Sequence, residues 1–187
     1  PELCKKINVP LVGTFLPAFD SHNRNLTAST QQLTYQLYAP SLAKFDKIIV
    51  FSEPQKNVLM KLGVPKEKLV IIPNGVDENI WKPLCKRNQK FDQVKNKLGD
   101  KRIFLYMGRI ANEKNIEALL RSWRQIKDNY CKLVIVGDGP MKPTLENSFS
   151  NLSDEKLFWW GAELDLETRI AIMQIAEVFV LPSLVEG

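Results

Sequence analysis

The stretch RIFLYMGRIANEKNIEALLRSWRQIKDNYCKLVIVGDGP, from Arg102 to Pro140, decides the fold. It opens with an apolar run, Arg102–Met107, that stops at Gly108 and fits a buried strand. Glu113 to Lys127 then places Ile116, Leu119, Leu120 and Trp123 at spacing i, i+3, i+4, i+7, one apolar face of a helix. A second apolar run, Lys132–Val136, ends at Gly137-Asp138-Gly139, and Pro140 opens the next helix. Strands that are apolar on both faces and joined by a helix belong to a parallel sheet covered on two sides.

The same alternation continues outward. Downstream, Leu157–Trp160 reads as a strand, Leu166–Ala176 as a helix and Val178–Leu181 as a strand. Upstream, strands are expected at Val9–Thr14, Lys47–Phe51 and Leu69–Ile72. Helices are expected within Gln31–Phe45, where Pro40 interrupts, and over Pro54–Leu62, with Gly63 closing the second. The reading is an α/β protein of two doubly wound parallel-sheet lobes: one over 1–80, one over 101–187, and a basic linker at 81–100. The chain begins and stops among such elements, so both lobes are read as incomplete pieces of a longer protein. Ligands in such sheets sit beyond the C-terminal strand ends.

Composition narrows the function classes. With 44% hydrophobic and 25% charged residues, the chain is an ordinary globular protein rather than a disordered tail or fibre. No apolar run is long enough to cross a bilayer. Three separated cysteines without a CxxC pair argue for a reduced, cytoplasmic setting and against a zinc site. The net charge of +5 is concentrated between Lys82 and Arg102. Few aromatics accompany those cations, which argues against nucleic acid. A solvated linker is the plain reading, and peripheral membrane contact is the alternative.

Chemistry concentrates in the loop Gly108-Arg109-Ile110-Ala111-Asn112-Glu113-Lys114-Asn115. Arg109 and Lys114 are placed around a helix N-terminus, where positive charge is unfavourable unless an anion such as a phosphate binds between the cations. Gly137-Asp138-Gly139 fails both the GxGxxG and the P-loop patterns, having Lys142 at the last glycine position. Its glycines would still let a ligand approach the backbone. His22, the single histidine, and Asp20 lie in a polar stretch after the first strand. No HExxH, GxSxG or Asp-x-Asp occurs, and a His-based zinc site or serine triad would have to rest on His22 alone.

Gly108-Arg109-Ile110 with Glu113-Lys114-Asn115, then Val134–Pro140, Phe158–Gly161, Val178–Ser183 and Glu186-Gly187 resemble, in order and spacing, the retaining GT-B glycosyltransferases of family GT4. Ile72–Asp77 is similar to that family's turn between lobes. The resemblance implies transfer of a sugar from a nucleotide-diphosphate donor to a glycan or lipid-linked acceptor, with retention and without a metal or separate cofactor. It makes Arg109 and Lys114 the cations on the donor diphosphate and Glu186 a carboxylate near the donor sugar. Gly13, Gly108, Gly137 and Gly161 become donor-side strand ends. The family's histidine after the first-lobe strand is replaced by Leu16, leaving His22 or Asp20 as candidates for an acceptor-side or acid–base role. A degenerate nucleotide- or partner-binding module and a nucleotide-sugar epimerase are the competing readings. The piece alone is expected to bind donor poorly.

Overall fold

A computed structural model describes residues 1–15, 37, 39–84 and 88–184. The chain divides into two compact units, Pro1–Val76 and Asp77–Leu184.

The first unit holds helix α1 (Glu2–Lys6), strand β1 (Val12–Thr14), strand β2 (Lys47–Val50), helix α2 (Glu53–Lys61) and strand β3 (Leu69–Ile71). The strands lie in the order β1-β2-β3, all parallel. Ser52 caps α2 by accepting from the Gln55 amide, Pro54 occupies the first turn, and Gly63 follows the helix at φ +92°. Ile48 and Val50 of β2 pack with Leu59, Val64, Leu69 and Phe15 in one buried cluster. The helix expected within 31–45 is described only at its end, where residues 39–42 are helical. The five-residue α1 has no apolar periodicity, and sequence reading missed it.

The second unit contains helix α3 (Gln89–Leu98), strand β4 (Arg102–Met107), helix α4 (Ile116–Trp123) and strand β5 (Cys131–Val136). Helix α5 (Lys142–Ser148), strand β6 (Leu157–Gly161), helix α6 (Leu166–Ile175) and strand β7 (Val178–Phe179) follow. The sheet order is β6-β5-β4-β7, parallel throughout. Alternate residues of each central strand serve opposite faces. On one face Tyr106, Leu133 and Ile135 meet Ile116, Leu120 and Trp123 of α4 and Leu145 of α5. On the other, Ile103, Leu105, Val134 and Val136 meet Val94 and Leu98 of α3 and Ala171 and Ile172 of α6. Two-sided cover explains why all six residues of β5 are buried.

Leu120 lies fully buried at the centre of the first of these faces. Leu120→Ala is expected to destabilise the second unit by about 2–5 kcal/mol, the range for a cavity left by a buried leucine. Urea unfolding followed by intrinsic tryptophan fluorescence measures it.

The basic linker needs correction. Gln89–Leu98 is a capped helix whose Val94 and Leu98 enter the core, so most of 81–100 is part of the second unit. Asn88 accepts from the Lys90 and Phe91 amides and starts it. Its apolar positions Phe91, Val94 and Leu98 are three and four apart, a pattern obscured by the surrounding lysines. The cations are also engaged. Lys90 pairs with Asp165 at 3.3 Å, Lys95 with Asp100 at 3.2 Å, Lys101 with Glu155 at 2.8 Å and Arg102 with Glu177 at 2.6 Å. Lys97 stands 3.8 Å from the Trp160 ring centroid. The segment therefore offers much less free positive charge than its composition suggests.

Four carboxylates share a direction of pKa shift. Asp165 is lowered chiefly by the Thr168 hydroxyl, Glu177 by Arg102, Glu155 by Lys101 and Asp128 by the Tyr130 amide. Each is more acidic folded than unfolded, so its contribution is complete above about pH 4–4.5 and is lost as the pH falls through the folded value. Melting temperature is expected to hold between pH 7 and 5 and fall as the pH drops from about 4 toward 2. A melting temperature that held or rose over that lower interval would contradict this.

Candidate functional site

The chain of the second unit runs from β4 outward through β5 to β6, then returns to the opposite side of β4 for β7. The direction of winding therefore reverses between β4 and β7, the place where open α/β sheets bind ligands. The loop after β4, carrying Arg109 and Lys114, leaves the sheet at that switch point.

The backbone of this loop is held on the β5 side. Beyond the strand ends, Gly108 N donates to Val136 O (2.9 Å), Ile110 N to Asp138 O (2.8 Å) and Met141 N to Ile110 O (3.1 Å). Tyr106 donates its hydroxyl to Arg109 O at 2.7 Å, and the Ile110 side chain is completely buried. Arg109 is exposed between these anchors, and among the described residues its side chain has no hydrogen bond or ion pair. A fixed backbone carrying a solvated guanidinium suits recognition of an anion.

Lys114 occupies a different local structure from the one expected. Asn112–Lys114 forms a single 3-10 turn, Asn115 follows in the left-handed region at φ +53°, and α4 begins only at Ile116. Arg109 thus stands seven residues before the helix, while Lys114, half-buried, stands two before it. Among the described residues no side chain caps the α4 N-terminus. Glu113 O accepts from Leu184 N at 2.9 Å, and Asn115 Nδ2 donates to Pro182 O at 3.2 Å. Segment 182–184 follows β7, so the loops on both sides of the switch point are joined. Sequence reading gave Asn115 no role. The available signal was an asparagine immediately before the helical period, a position that favours caps and left-handed backbone.

The glycines have reasons within the protein itself. A Cβ on Gly137, at φ +139°, would stand 1.9 Å from Gly108 O, and one on Gly139 would stand 2.2 Å from Ile110 O. Their backbones thus make room for the β4 loop before any ligand is considered. Gly13 leaves space for the Phe45 ring, 2.7 Å from where its Cβ would be. Gly108 lies beside the Tyr106 hydroxyl, and Gly161, at the end of β6, accepts from Gly137 N at 2.8 Å. Asp20, His22 and Glu186 lie outside the described residues.

A cleft of about 640 Å³ opens at the opposite end of this sheet, among Lys97, Gly99, Lys101, Arg102, Lys132 and Glu155. Lys101 and Arg102 are in ion pairs there, and the buried Lys132 donates to Leu98 O at the α3 C-terminus. Those contacts close a helix end and the sheet edge, so the cleft is structural. Among the described residues no group of histidine, cysteine and carboxylate side chains is placed to hold a metal ion. No described helix is long and apolar enough to cross a membrane.

Two parallel α/β units, the second with a cation-bearing loop at its switch point, define a GT-B-like protein. The family described as "Glycosyl transferases group 1" matches residues 87–187, and "Glycosyltransferase Family 4" matches residues 2–80. The chain belongs to the group 1 glycosyl transferases. Alpha-monoglucosyldiacylglycerol synthase of Streptococcus pneumoniae is 24% identical over 97% of this chain and 43% of its own length. UDP-Gal:alpha-D-GlcNAc-diphosphoundecaprenol alpha-1,3-galactosyltransferase of Escherichia coli is 30% identical over 75% of this chain and 37% of its own. Among solved structures, Anabaena Alr3699/HepE in complex with UDP superposes with a TM-score of 0.73 at 14% identity, covering 96% of this chain and 48% of that one. Sucrose-phosphate synthase of Thermosynechococcus elongatus gives 0.70 at 23% identity, covering 97% and 46%. The chain spans less than half the length of these relatives.

Proposed function

We propose that the full-length protein transfers a sugar from a nucleotide-diphosphate donor to a glycan or lipid-linked acceptor, with retained anomeric configuration and without a metal. The observation that carries this reading is the exposed Arg109, with Lys114, on a backbone-anchored loop at the sheet's switch point. As the bond between the anomeric carbon and the phosphate oxygen breaks, its electron pair moves onto the diphosphate. Two cations fixed beside that group stabilise the developing charge, the electrostatic task otherwise given to a divalent ion. The acceptor hydroxyl bonds to the anomeric carbon on the face the diphosphate leaves, and its proton passes to the departing phosphate oxygen. No carboxylate nucleophile is needed, in contrast to retaining hydrolases. Glu186, two residues beyond Leu184, is assigned a place beside the donor sugar.

The names of the relatives support a lipid-linked or glycan acceptor, and the HepE complex makes UDP the first nucleotide to try. Calorimetric titration of the full-length protein with UDP, GDP and ADP tests the donor half. Binding of one, in the absence of divalent cations and in the presence of chelator, is expected. Binding that requires an added divalent ion would overturn the metal-free part, and failure of all three would count against the donor assignment.

A further inference from the structure

We infer that Asn115 is a positioning residue for sugar transfer, the pin that keeps the loops after β4 and β7 in one arrangement; this rests on the donor-diphosphate reading of Arg109 and Lys114. Strand β7 is only two residues long and pairs with β4 through Phe104–Val178 and Leu105–Phe179. Val180 N still donates to Leu105 O, at 2.8 Å. Beyond it, among the described residues, segment 181–184 is held by two hydrogen bonds, Asn115 Nδ2 to Pro182 O and Leu184 N to Glu113 O. Both come from the turn that carries Lys114, and both cross the switch point.

The residue type suits the place. At φ +53°, ψ +36°, Asn115 is in the left-handed region, which glycine and asparagine enter with least strain. Glycine would satisfy the backbone equally well but has no amide to donate. Asparagine is therefore needed for its side chain, and that side chain is directed to a neighbouring loop. Its function is to hold the segment after β7 against the turn that carries Lys114. Loosening this tie leaves the diphosphate site on the β4 loop in place, while the sugar and its departing phosphate lose their alignment, a condition on which rate depends strongly.

The test compares wild-type and Asn115→Gly full-length protein, with Asn115→Asp as a second variant that keeps a short polar side chain but presents an acceptor to the Pro182 carbonyl. Hydrogen–deuterium exchange over 180–184, without any nucleotide, is expected to quicken at least fivefold in both. Affinity for whichever of UDP, GDP or ADP binds should stay within threefold in Asn115→Gly. Acceptor-independent hydrolysis of UDP-glucose, GDP-mannose or ADP-glucose, matched to that nucleotide, should fall at least tenfold. A merely structural residue would change melting temperature and affinity together. Unchanged exchange overturns the proposal, as does unchanged hydrolysis, and a tenfold loss of nucleotide affinity would make Asn115 a donor contact instead. Should the wild type bind none of the three nucleotides, the donor reading fails on its own, and the exchange result still decides whether the pin exists.

Discussion

Arg109→Ala in the full-length protein is expected to weaken nucleoside diphosphate binding by about 1.5–3 kcal/mol, roughly a ten- to hundredfold rise in Kd, with thermal stability unchanged. The size is that of a hydrogen bond to a charged group, and the separation from stability follows from the loop's construction. What Tyr106 holds is the carbonyl of Arg109, which alanine retains, and what anchors the loop is Ile110 and the backbone bonds to Val136 and Asp138. Truncating an exposed side chain with no partner among the described residues removes none of these. Lys114 is the less clean probe, because it is half-buried and has interactions of its own. Calorimetry of wild type and variant at two salt concentrations gives a second check. Wild-type affinity should fall more steeply with salt than that of Arg109→Ala, since one screened charge has been removed. Equal affinity and equal salt dependence would move the diphosphate away from this loop.

The second unit was legible because its signals are local and strong. Arg102–Met107 and Lys132–Val136 are strands buried on both faces, and Ile116, Leu120 and Trp123 supply a clear helical face. Sequence reading failed where two signals competed. In Gln89–Leu98 an apolar stripe of three residues was outweighed by lysines, and the partners of Lys90 and Lys97, Asp165 and Trp160, lie 75 and 63 positions away and are unreadable in sequence. The helix start was placed at Glu113 because helical periodicity does not reveal a 3-10 turn. Nor does it reveal that Asn115, in the left-handed region, bonds the Pro182 carbonyl. Arg109 and Lys114 were singled out because charge beside an expected helix start is conspicuous. The tie between the loops was not, since a main-chain acceptor 67 residues away leaves no trace in residue type. The glycines show a subtler limit: sequence identified the positions that need them, while the backbone that fills the space came only with the fold.

Gly137→Ala is expected to be the most damaging small substitution in the second unit, costing about 2–4 kcal/mol, the range of combined overpacking and backbone strain. A methyl group there would sit 1.9 Å from Gly108 O and 2.9 Å from Gly108 C, at a φ of +139° that L residues rarely adopt. Neither side can yield cheaply. Gly108 is bonded to Val136, and Gly137 donates to Gly161 O, so the clash falls between two loops that are each tied to the sheet. Relief requires the β4 loop to lift, which would break Ile110 N to Asp138 O and withdraw the fully buried Ile110 side chain. Stability and diphosphate affinity should therefore fall together, the reverse of the separation expected for Arg109→Ala. Gly75→Ala is the control: nothing lies within 4 Å of the added methyl and φ is not positive, so its effect should be near zero or slightly stabilising. Urea unfolding followed by tryptophan fluorescence, alongside calorimetry with the bound nucleotide, distinguishes the cases. A Gly137→Ala protein that unfolds like wild type would mean that the two loops are not packed as described, and the cations of the β4 loop would then lack the fixed geometry on which their assigned chemistry depends.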